Sequence, residues 1–267
     1  MGDGSLLHGI TSESSHTAKS FSGRESGDIK KLLRLPLVSV VVINFNYGRF
    51  LRAAVDSVFG QTYPNVECIV VDNGSTDRTA AIAASAGARV ITSSRGYGAA
   101  CKAGSDAAID TSTILVFMDG DGSDVVSDLS RLVAPIESDV ADFVIGSRIR
   151  GRREPGSMLP SQILAGHFVA MLLRILHGAR YTDMGPFRAI RRSSLKQLNM
   201  TEMTYGWNLE MQAKAARQGL RIQEIAVDYR CRRGGLSKVS GNLRASLKTG
   251  VRILAVLLRT SYHGNAH

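Results

Sequence analysis

Two carboxylates, Asp119 and Asp121, flank Gly120 directly after the apolar run Ile114-Leu115-Val116-Phe117-Met118. In an extended segment, residues i and i+2 point to the same side. A pair of hard oxygen ligands so placed suits Mg²⁺ or Mn²⁺ bridging a diphosphate. Gly120 and Gly122 remove side-chain bulk and allow close approach. An acidic turn is the plain alternative. A second polar cluster, Asp72-Asn73-Gly74-Ser75-Thr76-Asp77, follows Val66–Val71, and a third, Asn44-Phe45-Asn46, follows Leu37–Ile43. Asp72 can accept hydrogen bonds from a base or ribose, while Ser75 to Asp77 suit a helix start and turn. The Gly-rich stretch Arg95-Gly96-Tyr97-Gly98 opens a helical segment, where backbone N–H groups can meet phosphate. It lacks the spacing of a dinucleotide-binding fingerprint.

These clusters need a scaffold. Apolar runs predict buried strands at Leu37–Ile43, Val66–Asp72, Ala88–Thr92, Thr113–Met118 and Asp142–Gly146. Helical stretches lie between them, at Phe50–Phe59, Thr76–Ala86, Tyr97–Ile109 and Val125–Ile136. This alternation predicts a largely parallel α/β sheet flanked by helices. Ligands of such sheets sit beyond the carboxyl ends of the strands, where the three polar clusters fall. Further on, Ile163–Ile175, Leu195–Asn199 and Trp207–Gln218 read as helices and Ile222–Tyr229 as a strand. Leu243–Arg259 is an amphipathic helix carrying Arg244, Lys248, Arg252 and Arg259 beside its apolar face. It can lie on an anionic membrane, or pack on the domain or on a twin subunit in a homodimer. Residues 1–34 are polar and aperiodic and read as a disordered tail. The expected organisation is thus a tail over 1–34, a catalytic domain over 35–240, and a terminal helix and tail over 241–267.

The chain has 267 residues, is 44% hydrophobic and carries a net charge of +10, which excludes a collagen-like or wholly disordered protein. Cys68, Cys101 and Cys231 have no zinc or redox spacing. No secretory leader pattern and no membrane-spanning run is seen, so a cytoplasmic protein is expected, at most peripheral on the inner face of the membrane. Charge is unevenly shared. Residues 1–143 carry a balance of −5 and residues 144–267 one of +15. A basic half points to phosphate-rich partners. Nucleic acid is the lesser reading, because only 6% of residues are aromatic and no stacking platform is evident.

Taken in order, Val38–Asn46, Gln61-Thr62-Tyr63-Pro64, Val70–Asp77 and Asp119-Gly120-Asp121 resemble the family 2 glycosyltransferases of the GT-A fold. That resemblance implies a nucleotide-sugar donor. Asp72 would lie near the base, with Asn44, Asn46, Gly96 and Gly98 beside it, and Asp119 and Asp121 around the metal and diphosphate. The second half resembles the polyprenyl-phosphate mannose and glucose synthases. The matching residues are Gly146-Ser147-Arg148, Asp183 before Phe187-Arg188, Glu210 within Trp207–Met211, and Arg232 followed by Ser237-Lys238. In that group Arg148, Arg188, Arg232 and Lys238 would serve phosphates of donor or acceptor, with Glu210 on the acceptor side. Three departures stand out: the opening Ile43-Asn44-Phe45-Asn46-Tyr47 lacks the group's acid, Gly185-Pro186 replaces Ser-Gly, and Leu236 replaces Glu.

The resemblance implies a metal-dependent, inverting transfer of a hexose to a polyprenyl phosphate. A soluble hydroxyl acceptor is the alternative. A phosphate acceptor is already an anion near neutral pH and needs cations more than a base. A hydroxyl acceptor needs a carboxylate base, for which Asp183 is the first candidate, beside Arg188.

Overall fold

Among the described residues, seven strands pair into one sheet in the order β3-β2-β1-β4-β6-β5-β7. The computed structural model describes residues 35–232, 252, 253 and 255–260, and from Pro36 onward they belong to one unit. The strands are β1 (Leu37–Asn44), β2 (Val66–Asp72), β3 (Arg89–Thr92), β4 (Ser112–Asp119), β5 (Phe143–Ser147), β6 (Arg188–Arg191) and β7 (Ile222–Ala226). β1 is buried on both faces from Val38 to Asn44, which is why it reads as a continuous apolar run and not an alternating one. Each fully buried Val, Leu or Ile side chain contributes about 1.5–3 kcal/mol.

The helices follow the strands: α1 (Gly48–Phe59), α2 (Thr79–Ser85), α3 (Tyr97–Ala107), α4 (Leu129–Glu137), α5 (Pro160–His177), α6 (Arg192–Leu198) and α7 (Trp207–Arg217). α1 buries Leu51, Ala54, Val55 and Val58, the i, i+3, i+4, i+7 stripe of an amphipathic helix. α3 lies close to the sheet at Gly104, where a Cβ would come within 2.2 Å of Val41 Cγ1.

Register decides where chemistry can occur. β1 pairs in parallel with β2 and β4, and β2 with β3. Asn44 is level with Asp72, Asp72 with Thr92, and Ile43 with Asp119. The three polar clusters therefore emerge at one edge of the sheet.

The structure departs from the sequence reading in four places. β6 is a strand of four residues antiparallel to both β4 and β5. Its sequence, Arg-Ala-Ile-Arg, carries no strand pattern long enough to read. The helix expected from Thr76 begins only at Thr79, because Ser75 N donates to Asp72 Oδ1 and Thr76 N to Asn46 Oδ1, which folds the intervening residues into a turn. Val125–Ile136 divides into a short 3₁₀ turn at Val126–Asp128 followed by α4. The last strand stops at Ala226, and Tyr229 instead bridges Asp124 and Arg153.

The tail over 1–34 and most of the terminal segment over 241–267 lie outside the described residues. Of that segment, residues 252, 253 and 255–260 are helical. Val256 and Leu257 are buried in the core, and Arg252 Nη2 and Arg259 Nη2 reach the buried Glu202 carboxylate at 2.9 and 3.4 Å. This described stretch packs on the domain.

Candidate active site

A cleft of about 560 Å³ opens at the carboxyl ends of β1, β2 and β4. Asp119, Gly120 and Asp121 form one side. Arg148, Tyr229 and Arg232 face it, and Phe45, Asn73 and Arg95 lie at the β1–β2 end. The remaining wall is largely apolar, with Met184, Pro186, Tyr205, Leu209 and Ile253, and carries Arg252.

The acidic pair is held rigidly. Asp121 is buried; its Oδ1 accepts from Ser123 N at 3.0 Å and Ser123 Oγ at 2.6 Å, and its Oδ2 faces Arg232 Nε at 3.1 Å. Behind it, Asp124 Oδ2 accepts from Asp119 N at 3.0 Å. Burial and the neighbouring Asp121 charge push the Asp119 carboxyl above its ordinary range, against the pull of Arg232, Arg148 and Arg188. Burial and Asp119 push Asp124 up as well. Burial and mutual repulsion make it costly to ionise these neighbouring carboxylates together, and the arginines do not fully offset that cost. Their oxygens match a hard divalent cation, with Asp119 and Asp121 as the two that face the cleft. No group of three or more side chains arranged around one metal position is found among the described residues. Such a cation would complete its shell with water or ligand oxygens, as Mg²⁺ commonly does.

Arg148 is bound to Asp183 through three donors. Its Nε and Nη2 donate to Asp183 Oδ2 and Oδ1 at 2.7 and 2.8 Å, and its backbone N to Oδ2 at 2.9 Å. The guanidinium also lies 5.0 Å from the Tyr229 ring centroid. Burial alone would raise the Asp183 pKa, but the Arg148 hydrogen bonds and charge hold it below its ordinary value. Met184 N donates to Asp183 Oδ1 as well, at 2.7 Å. Asp183 thus stands behind the cleft as the support of Arg148, and its lone pairs are occupied.

Other expected site residues are placed beneath the cleft. Arg188 is fully buried; its guanidinium donates to Gly185 O and Asn208 O. Glu210 is fully buried, accepts from Thr201 and Glu202, and pairs with Lys214 at 3.0 Å. It shapes the 201–206 segment and does not line the cleft. Lys238 lies outside the described residues.

The donor-side residues mostly build the loop. Asn44 Nδ2 donates to Thr79 Oγ1 at 3.1 Å, and Asp72 accepts from Ser75 N at 2.8 Å. Asn46 has φ +58° and receives Thr76 N at 2.8 Å. Of the two loop glycines, Gly96 lines the cleft and Gly98 does not. Their backbone donors are already used, Gly96 N on Asn73 Oδ1 and Gly98 N on Thr204 O. A Cβ on Gly98 would sit 2.1 Å from Glu202 O, so the glycines serve close packing against residues 202–204. Reading single residues missed Phe45, Asn73 and Arg95, whose guanidinium lies 5.0 Å from the Phe45 ring centroid. Their signal was position alone, beside the strand ends.

Comparison with known proteins finds glycosyltransferases. An uncharacterized glycosyltransferase of Mycobacterium tuberculosis is 41% identical over 181 residues, covering 67% of this chain and 80% of that protein. Polyprenol monophosphomannose synthase of Mycolicibacterium smegmatis is 32% identical over 225 residues, covering 78% and 83%. Glucosyl-3-phosphoglycerate synthase of M. tuberculosis, solved with Mn²⁺ and UDP-glucose, superposes with a TM-score of 0.66 at 21% identity. That match covers 88% of this chain and 82% of the other, and it shows the shared GT-A fold. The profile of glycosyl transferase family 2 matches residues 39–198, from the first buried strand through the acidic pair to the end of α6. The chain therefore belongs to glycosyl transferase family 2 and is a glycosyltransferase.

Proposed function

We propose that the protein transfers a hexose from a nucleotide sugar to a polyprenyl phosphate, with inversion at the anomeric carbon. One observation carries the choice of acceptor. Among the described residues lining the cleft, Asp119 and Asp121 are the only carboxylates, and no histidine lines it. Asp183, the base expected from the sequence, is tied to Arg148. A hydroxyl acceptor would find no further base among these described lining residues, whereas a phosphate needs none. The relative from M. smegmatis is named for polyprenol phosphate chemistry, which supports the same reading.

Asp119 and Asp121 would hold Mg²⁺ or Mn²⁺, which neutralises charge on a leaving diphosphate. The protein's own groups do the rest. Arg148 and Arg232 present cationic forks from the side facing the acidic pair. Asp183 and Tyr229 hold the Arg148 fork in place, so little reorganisation accompanies charge movement. Met184, Pro186, Leu209 and Ile253 offer apolar surface to a prenyl chain, beside Arg252 for its phosphate.

The test is a panel of radiolabelled GDP- and UDP-sugars with Mg²⁺ or Mn²⁺, with and without short polyprenyl phosphates, followed by organic extraction. The expected result is label in the organic phase only with metal and polyprenyl phosphate. Label confined to a soluble acceptor would replace the lipid phosphate by a hydroxyl compound.

A further inference from the structure

Helix α5 presents an apolar face to solvent. Leu164, Phe168, Met171 and Ile175 follow one another at i, i+4, i+7 and i+11 and are 72%, 56%, 48% and 70% exposed. The opposite face carries Val169 and Leu173, which are buried in the core. Core packing therefore does not explain the outer stripe. Scattered exposed apolar side chains need no explanation, but a continuous helical stripe of this size marks a contact surface.

The charges around the stripe identify what it contacts. No Asp or Glu occurs between Glu154 and Asp183. Arg150, Arg152 and Arg153 precede the helix, Arg174 flanks the stripe, and Arg180 follows. We infer that α5 is a membrane-docking helix, lying flat on an anionic bilayer with Leu164, Phe168, Met171 and Ile175 in the acyl boundary and the arginines among lipid headgroups. An apolar stripe flanked by cations is the pattern of interfacial helices. At 1.5 Å per residue the 18 residues of α5 extend about 27 Å, enough to lie along a surface. No described helix is long and apolar enough to cross a membrane. A two-fold contact between copies through this face would bring together two surfaces that each carry arginine and no acid from α5. Anionic headgroups remove that repulsion. The docking role also belongs to this helix and not to the described part of the terminal helix, whose Val256 and Leu257 are buried and whose Arg252 pairs with Glu202.

The inference goes beyond the acceptor reading and does not require it. The test is flotation of the full chain with vesicles of phosphatidylcholine alone or with added phosphatidylglycerol. Wild-type protein is expected to float with the anionic vesicles. The double variant Leu164→Gln/Phe168→Gln, on the solvent side of α5, should lower partitioning about tenfold or more while keeping nucleotide-sugar binding. Arg174→Gln should weaken binding and reduce its salt sensitivity. Failure of wild-type protein to float, or undiminished binding by the double variant, overturns the inference. So does light scattering that shows a wild-type dimer broken by the double variant, without vesicle binding. Vesicle binding without label transfer would sink the acceptor reading alone. Transfer to detergent-dispersed polyprenyl phosphate without vesicle binding would sink this inference alone.

Discussion

Arg148 and Asp183 lie 35 residues apart in sequence, yet the Arg148 side chain and backbone together place three hydrogen bonds on one carboxylate. Arg148 follows directly on β5, and Asp183 stands in the segment that leads into β6, the strand beside it. The antiparallel β5–β6 pairing is what brings the two together. A guanidinium held in this way offers its remaining surface to the cleft in a fixed orientation. In the proposed reaction Asp183 would be a positioning residue, and the work of binding phosphate would fall to its partner.

Asp183→Asn puts an amide donor against the Arg148 fork and removes the balancing charge. Breaking a buried pair in this manner costs about 3–5 kcal/mol. For a domain of this size each kcal/mol lowers the melting temperature by about 2–4 °C. The expected outcome is a lower melting temperature together with a raised KM for the phosphate-bearing substrate. A base would show otherwise: kcat would collapse and KM would hold. Thermal melts and steady-state kinetics on Asp183→Asn and Asp183→Glu separate the two roles.

Asp121→Asn should abolish metal-assisted nucleotide-sugar binding and leave the fold intact, since Ser123 can still donate to the remaining oxygen. The Asp119 carboxyl, pushed up by burial and by Asp121, would make protons compete with a bound divalent cation. Divalent-ion affinity in the wild type should therefore rise from mildly acid to mildly alkaline pH, releasing a proton on binding. Calorimetry in two buffers of different ionisation enthalpy measures that release. Asp121→Asn, which lacks one of the two carboxylates, should show neither the binding heat nor the proton release.

Much of this arrangement was legible in the sequence, for physical reasons. The buried parallel strands must be apolar throughout, so β1, β2 and β4 stand out as unbroken runs that end in polar clusters. The acidic pair was found because its carboxylates follow such a strand directly. What stayed hidden depended on long-range pairing. β6 has four residues and two arginines, and only its place between β4 and β5 makes it a strand. The fate of Arg188 followed from that: level with Phe117 and Ile145, its side chain is buried below the cleft. Glu210 was equally unreadable, because its partners Thr201 and Glu202 lie on a loop that the helix period does not reveal.

Gly98→Ala tests whether the glycine loop serves packing. Its Cβ would meet the Glu202 and Met203 backbone at 2.1 and 2.8 Å, and that backbone cannot yield as a side-chain tip would. Overpacking of this kind costs about 1–3 kcal/mol. The displaced segment ends beside Tyr205 and Gly206, which line the cleft. The variant should melt several degrees lower and bind substrate less tightly. By contrast, Gly166→Ala on α5, where nothing lies within 4 Å of the added carbon, should stabilise slightly by helix propensity.

Acid sensitivity should trace in part to the β5 entrance. Arg221 Nε and Nη2 donate to Asp142 at 3.0 and 2.7 Å, and Arg221 also reaches Asp139 at 2.8 Å. The Arg221 hydrogen bonds and charge hold Asp142 down to about 2. A carboxyl depressed in the folded state stabilises fully above its ordinary value near pH 4, and that contribution disappears as pH falls through the folded value. Solvent around the half-exposed Arg221 screens the pair and keeps its contribution small. Urea midpoints of wild type and Asp142→Asn should therefore differ most near neutral pH and converge only as pH falls to about 2 and below. Salt should narrow the neutral-pH gap, since screening acts on the charged form alone. A gap that persisted unchanged into acid would assign the stabilisation to packing at the β5–β7 junction and not to the carboxylate.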